Sequence, residues 1–344
     1  MIKVLVVEDS PAVREFLVHV LGSDPQIRIV GSAANGEEAI EAARRLRPDV
    51  ITMDIHMPRM NGLEATRRIM ETDPRPIVIV SGSHDPREVA TTFEAIEAGA
   101  LAVMHRPEGI GHEDHEQGAH ALVRTVKAMA EVRVVRRWAR REGEAGRRRV
   151  EAPLTAPGIV AIGASTGGPP ALHAILAALP ADFPAAIVVV QHMAPGFVGG
   201  FAQWLSQFCP LPVQLAAHGE TVVAGRVYIA PDGFHTAVAE SARFVMTRCD
   251  GNDGPCPSVS HLFQSVADAF GRDAIAVLLS GMGRDGAQEL RELREKGAAT
   301  FAQDEASSVV HGMPGEAIRL DAAKYVLPPA EIAPVLVALA NRKR

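Results

Sequence analysis

Short, unbroken apolar runs recur along the chain, and each stops abruptly at polar or glycine residues. Examples are KVLVVEDS, VITMDIHMP, PIVIVSG, GIVAIGASTGG, AIVVVQHM and AIAVLLSGMGRDG. β-Branched runs of roughly 4–8 residues without polar alternation are the pattern of strands buried on both faces, as in parallel sheets. Amphipathic helix patterns lie between them. This alternation restricts the chain to open α/β folds, in which functional residues gather at the carboxyl ends of the strands.

Two such folds fit along the 344 residues. In residues 1–125, strands read at IKVLVVE, IRIVGSA, DVITMD, PIVIVSG and ALAVMH. Helices read at Pro11–Leu21, Glu37–Leu46, Gly62–Met70 and Arg87–Ala98. This predicts a five-stranded, doubly wound α/β domain. Glu131–Arg149 then carries eight arginines against three glutamates, broken by Gly143 and Gly146. It reads as the end of a helix running into a solvated linker, so residues 126–153 are taken as a helical, basic linker. A single aromatic residue, Trp138, and no groove-reading motif accompany the basic run, short of what a nucleic-acid arm would require.

Residues 154–344 form the second α/β pattern. Strands read at GIVAIG, AAIVVVQ, AIAVLLS, AATFAQ and YVLPP. Helices read at Pro169–Leu179, Gly199–Phe208, Ser258–Phe270, Asp285–Lys296 and Ala330–Ala340. Between His192 and Ser258 the pattern shifts to short strands with tight turns, PVQLAA, RVYIAP, HTAVAE and ARFVMT, which predicts a β-hairpin insertion beside a parallel sheet.

Composition excludes several classes. A formal charge of −6 argues against a general nucleic-acid or membrane binder. No apolar run approaches the ~20 residues that span a bilayer, and the N-terminus lacks a signal-peptide layout, so a cytoplasmic protein is expected. Three cysteines, Cys209, Cys249 and Cys256, without CxxC spacing indicate neither a disulfide framework nor a zinc site.

Three strand ends in the second domain carry Ser165, His192 and Asp285. A serine, a histidine and an aspartate converging there are the parts of a nucleophilic hydrolase. Gly163-Ala164-Ser165-Thr166-Gly167 fits the G-x-S-x-G elbow, a sharp strand-to-helix turn that lifts the hydroxyl above the sheet. The following helix start offers free N–H groups to a developing oxyanion. Pro169 stands where a P-loop needs lysine, and GASTGG does not supply a dinucleotide fingerprint. A glycine turn that merely packs, a core histidine, and Asp285 as a helix cap are the plainer alternatives. The order Ser, His, Asp also differs from that of α/β-hydrolases.

Residues 158–344 resemble the catalytic domain of chemotaxis-type protein-glutamate methylesterases, through GASTGGPPAL, VVQHMAPGF, RVYIAPDGFH, PSVSHLFQSVA, LLSGMGRDGA and AQDEASSVVHGMPGEAI. The resemblance implies a triad of Ser165, His192 and Asp285, with Thr166 and the backbone N–H of Met282 holding the oxyanion. It implies hydrolysis of glutamyl methyl esters on chemoreceptor helices, with glutamine deamidation as adjacent chemistry and no cofactor for the esterase. A catalytically silent, receiver-gated interaction module is the rival reading. Nothing after residue 150 resembles a helix-turn-helix, which weighs against a transcriptional regulator.

In the first domain, Glu8 and Asp9 end one strand and Asp54 another. Clustered carboxylates repel one another unless a cation compensates, and a hard Mg²⁺ suits them. Ser81 ends a further strand and can reach a phosphoryl group on Asp54. This half is similar to response-regulator receiver domains, through VVEDS, MDIHMPRMNG, VSGSH and GALAVMHRP. The resemblance implies phosphorylation of Asp54 by a chemotaxis histidine kinase, with Mg²⁺ held by Glu8, Asp9 and Asp54. Two positions depart from the pattern. Arg106 replaces the usual lysine and Val103 the usual aromatic residue; arginine keeps the charge but is bulkier and not equivalent. His112, His115 and Glu116 stand at helical spacing that can bind a metal, although a solvated helix start is the plainer reading.

Overall fold

The structure is a computed structural model describing residues 1–82, 86–132, 134, 158–250 and 254–341, with side chains of 86–91 not described. Most of the expected basic linker, residues 126–153, falls outside these residues. The chain divides into two compact units, residues 1–143 and 144–344.

The first unit alternates β1 (Ile2–Val7), α1 (Pro11–Gly22), β2 (Ile27–Ala33), α2 (Gly36–Leu46), β3 (Val50–Met53), α3 (Gly62–Thr72), β4 (Ile77–Ser81), α4 (Pro86–Ala98), β5 (Ala102–His105) and α5 (His115–Ala130). The parallel sheet has the order β2-β1-β3-β4-β5. Chain direction across the sheet reverses at β1 and β3, the switch point where such folds place their sites. β3 and β4 are buried along their whole length, as their unbroken apolar runs require. Asn35 and Asn61 cap α2 and α3 by accepting the N–H groups of Glu38 and Glu64, so each strand-to-helix turn is fixed locally. α5 carries its buried face to Val126 and Met129, and Lys127 ties it to Asp24 at 3.1 Å.

The second unit contains β6 (Ile159–Ala164), α6 (Gly168–Leu176), β7 (Ala186–Gln191), α7 (Val198–Ser206), β8 (Val213–Leu215), β9 (Val227–Ile229), β10 (Phe234–Val238), β11 (Phe244–Arg248), α8 (Val259–Ala269), β12 (Ala274–Leu278), α9 (Ala287–Glu295), β13 (Ala299–Gln303), α10 (Met313–Arg319), β14 (Tyr325–Leu327) and α11 (Pro329–Ala340). Seven parallel strands run in the order β14-β13-β12-β6-β7-β9-β8. β6, β7, β12 and β13 are buried throughout. β6 lies at the centre with β12 on one side and β7 on the other, so this sheet also has its switch point at the serine strand.

Two features refine or correct the sequence reading. Of the four short strands between His192 and Ser258, only β10 and β11 form the antiparallel hairpin; β8 and β9 extend the main sheet in parallel. β9 is fully buried, so what decides its place is packing beside β7 rather than its shortness. Contrary to the expectation from cysteine spacing, Cys249 and Cys256 form a disulfide, leaving Cys209 as the free, half-buried thiol. The pairing follows from the hairpin turning back on the start of α8, a tertiary event that local spacing does not encode.

Candidate active site and acidic cluster

The elbow after β6 is built by glycine. Gly167 sits at φ +81°, a conformation other residues rarely adopt, and a side chain there would strike Val309 and Ser280. Ser165 therefore emerges above the sheet as α6 begins. Its N–H donates to Ser280 O at 3.0 Å, which pins the elbow to the end of β12. Gly281 gives Ser165 room, because a Cβ there would lie 2.7 Å from Ser165 Cβ.

His192 follows β7, and its backbone N–H donates to Ala164 O at 2.9 Å, the residue before the serine. Strand register alone thus places Ser165 and His192 on adjacent strand ends. The His192 Nε2 lies 2.8 Å from Asp285 Oδ2. Asp285 is already loaded with donors. Its Oδ1 accepts from Ser258 Oγ at 3.0 Å and Ser260 N at 2.9 Å, and its Oδ2 accepts from Val259 N at 2.7 Å. These donors form the N-terminus of α8, where free N–H groups and the helix dipole favour an anion. Burial pushes the Asp285 carboxyl upward, but the hydrogen bonds from His192 and Ser260 outweigh it and hold the group well below the usual carboxylate range. An ionised carboxylate can only accept, so Nε2 carries its proton toward Asp285 and Nδ1 is left as the basic nitrogen.

Several supporting residues are absent from the sequence reading. Gln191 is buried, and its Nε2 donates to both Ser165 O and His192 O at 2.8 Å, bridging the two backbones. Ser280, also buried, donates its hydroxyl to Thr166 O at 2.7 Å and accepts Val310 N–H at 3.0 Å. Ser260 Oγ donates to Glu289 at 2.7 Å and accepts Gly286 N–H at 2.9 Å, tying the starts of α8 and α9 together. Asp232 accepts Gly196 N–H at 2.8 Å and so shapes the loop after His192; burial pushes its carboxyl up. Only Ser258 had a sequence signal, as the first residue of an expected helix. The backbone N–H groups of Thr166 and Met282 meet no acceptor among the described residues, so both remain available to an oxyanion.

In the first unit, Glu8, Asp9 and Asp54 come together, with a carboxylate oxygen from each lying within 4.8 Å of the others. Glu8 is pushed up to about 7 by burial and then by the neighbouring Asp54. Burial likewise raises Asp54, against N–H groups of Ile55 and His56 that accommodate its charge. Three oxygen donors with so little compensating charge fit a hard divalent cation. Ser81 is buried at the end of β4, with its carbonyl accepting Arg106 N–H at 2.8 Å. The Arg106 guanidinium lies against Gly82, and its charge acts on Glu8. Val103 pairs with Ile79 across β4 and β5 and is half-buried. The structure does not assemble His112, His115 and Glu116 into a metal site. His112 turns toward Asp114 at 3.7 Å and His115 Nδ1 bonds to Glu108 O at 2.7 Å.

Comparison with known proteins matches residues 160–336 to the CheB methylesterase family and residues 4–112 to the response regulator receiver domain. A protein-glutamate methylesterase/protein-glutamine glutaminase of Nitrosospira multiformis is 59% identical over 344 residues, covering 98% of this chain and 97% of the relative. One from Geobacter metallireducens is 53% identical over 347 residues, covering 100% of both. Among solved structures, the Thermotoga maritima CheB methylesterase catalytic domain is 39% identical with a TM-score of 0.52, covering 54% of this chain and 100% of that one.

Proposed function

Because the chain belongs to the CheB methylesterase family and carries a receiver domain ahead of the esterase, we propose that Ser165, His192 and Asp285 hydrolyse glutamyl methyl esters on chemoreceptor helices, under control of phosphorylation at Asp54. The protein is a methylesterase and glutaminase of the chemotaxis type. The observation that carries the site assignment is the four-donor hold on Asp285, with His192 Nε2 as one donor, at the mouth of the switch point.

Ser165 Oγ attacks the ester carbonyl while His192 Nδ1 takes its proton. The N–H groups of Thr166 and Met282 receive the oxyanion. His192 returns the proton to the departing methanol, or to ammonia when the substrate is glutamine. Water then enters, His192 again takes a proton, and the acyl-enzyme is released as glutamate. Asp285 stays ionised, orients the ring and stabilises the imidazolium. The esterase needs no cofactor in this scheme.

In the receiver, Glu8, Asp9 and Asp54 would hold Mg²⁺, which when bound neutralises phosphoryl charge. Asp54 is the acceptor, Ser81 and Arg106 contact the phosphoryl oxygens, and a chemotaxis histidine kinase is the donor. The receptor substrate implies action at the cytoplasmic ends of the receptors. No described helix is long and apolar enough to cross a membrane.

Methanol release from methylated receptors tests the esterase, with Ser165→Ala expected to abolish it. Retention of more than a few per cent of kcat would overturn the nucleophile assignment. A small phosphodonor with Mg²⁺ should label the wild type and not Asp54→Asn. Label that survives both this substitution and chelation would overturn the acceptor assignment.

A further inference from the structure

The Cys249–Cys256 disulfide lies at the root of the helix that grips Asp285, and we infer that it is a redox modification site that tunes the esterase. Oxidised, it holds the first turn of α8 in the shape that binds the carboxylate; reduced, it lets that turn loosen. The inference rests on the assignment of Ser165, His192 and Asp285 as the triad.

Cys256 and Pro257 directly precede Ser258, the N-cap of α8 and the first donor to Asp285. On the other side, Cys249 closes the hairpin. It follows β11, and its N–H donates to Gly233 O at 3.0 Å, just ahead of β10. β10 itself lies on the body of α8. Val238 N–H donates to Ser265 Oγ at 3.1 Å, and the His235 and His261 rings are 5.1 Å apart. The hairpin therefore holds the helix at residues 261 and 265 without help from the cysteines. The disulfide adds a tether upstream of residue 258, where the polypeptide enters the cap.

This arrangement localises the effect of reduction. The helix body keeps its own attachments, so the fold persists. The first turn supplies three of the four hydrogen bonds to Asp285, from Ser258 Oγ, Val259 N and Ser260 N. Breaking the cross-link releases Cys256, two residues ahead of Ser258, from the hairpin. The freedom gained at the entry to the cap loosens the donors that set the direction of Asp285, and through it the ring of His192. A disulfide on the side of the membrane that receptor signalling helices occupy meets thiol reductants, and disulfides there are usually transient or redox-sensing.

The reaction is thiol–disulfide exchange. A dithiol reductant attacks one sulfur through a mixed disulfide, and the Cys249–Cys256 bond breaks. Two electrons and two protons pass to the protein, and the reductant leaves as its own disulfide. A disulfide oxidant of the glutathione type reverses it.

The test uses the full chain in both states, prepared with oxidised glutathione or with dithiothreitol. Thiol titration after denaturation should give one thiol for the oxidised form, Cys209, and three for the reduced form. The rate of Ser165 labelling by a fluorophosphonate reads nucleophile reactivity without a receptor. Labelling and kcat for methanol release should fall about tenfold on reduction with KM unchanged, short of the ~10²-fold that a full ångström of misplacement costs. Cys249→Ser/Cys256→Ser should behave as the reduced form in either buffer. In Asp285→Asn the redox difference should vanish, because the grip has no carboxylate to direct. Equal labelling in both states, free thiols at both positions after oxidation, or a reduced form that loses its far-UV circular dichroism would each overturn the proposal. Absence of labelling in either state would instead overturn the triad assignment beneath it.

Discussion

In the proposed mechanism Ser165 and His192 make and break bonds, whereas Asp285 acts through His192, and the substitutions should divide accordingly. Ser165→Ala and His192→Ala should each abolish methanol release, while Asp285→Asn should leave a measurable residue of kcat; equal losses in all three would contradict the division of roles. Asp285 also has a stability signature. Its folded carboxyl lies below the ordinary value of 3.8, so its contribution is fully present above that value and is lost as pH falls through the lower, folded one. The stability gap between wild type and Asp285→Asn should be open at pH 7 and narrow below about pH 4 in urea titrations. A gap independent of pH would show that the charge is not what the α8 donors hold. The gathering of Ser165, His192 and Asp285 at one end of the sheet was legible because each follows an apolar strand. Gln191 and Ser280 were not: a buried glutamine or serine at a strand end carries no local mark, and their partners are backbone carbonyls distant in sequence. Which ring nitrogen faces Asp285 is likewise a tertiary fact. The histidine in QHM does not disclose it; the donor-filled carboxylate does.

Among the elements, the loop between β12 and α9 leaves the least room. A methyl group at Gly281 would meet both Met313 Sδ and Ser165 Cβ. The methionine can bend away, but Ser165 is fixed by the Ser280 carbonyl and by Gln191. Gly281→Ala should therefore displace Ser165, the proposed nucleophile, and lower kcat on the order of 10²-fold. Melting should show only ~1–3 kcal/mol of lost stability, as for other overpacked sites. Unchanged kcat would mean that the elbow yields more than these contacts allow. The elements with unbroken apolar runs were read correctly, since burial on both faces is written into their composition. α10, only seven residues long, was not expected, because its Pro314 and Gly315 read as breakers. It begins where Met313 N–H donates to Gly281 O, so the active-site loop anchors the helix start. β8 and β9 misled for a related reason: three-residue strands show too little pattern to distinguish a hairpin from a sheet edge.

At the scale of the whole molecule, each unit has its own sheet, core and chemistry, and the two respond to different conditions. The receiver keeps Glu8 buried beside Asp54, with its carboxyl raised from 4.5 to about 7. The folded state thus binds a proton more tightly than the unfolded one. In the absence of a divalent cation, receiver stability should decline as pH rises from about 4.5 to about 7 and stay low above it. At about 1.4 kcal/mol for each pKa unit, the cost is at most roughly 3 kcal/mol. Glu8→Gln should remove that slope, and Mg²⁺ should raise the melting temperature of the wild type more at pH 8 than at pH 6. A slope that survives Glu8→Gln would place its origin elsewhere. Among the described residues, the hydrogen-bond partners of Ser165, His192 and Asp285, from Ala164 to Ser280, all lie in the catalytic unit. A Thermotoga maritima catalytic domain solved on its own matches it over the full length of that chain. A fragment from about Pro153 onward should therefore fold alone and accept fluorophosphonate at Ser165. Its labelling should be indifferent to Mg²⁺, to phosphodonor and to Glu8, while that of the full chain should follow the phosphorylation state of Asp54. A fragment that folds yet does not label would show that the receiver supplies part of the active site. One that labels and still responds to phosphodonor would place a second acceptor outside the receiver.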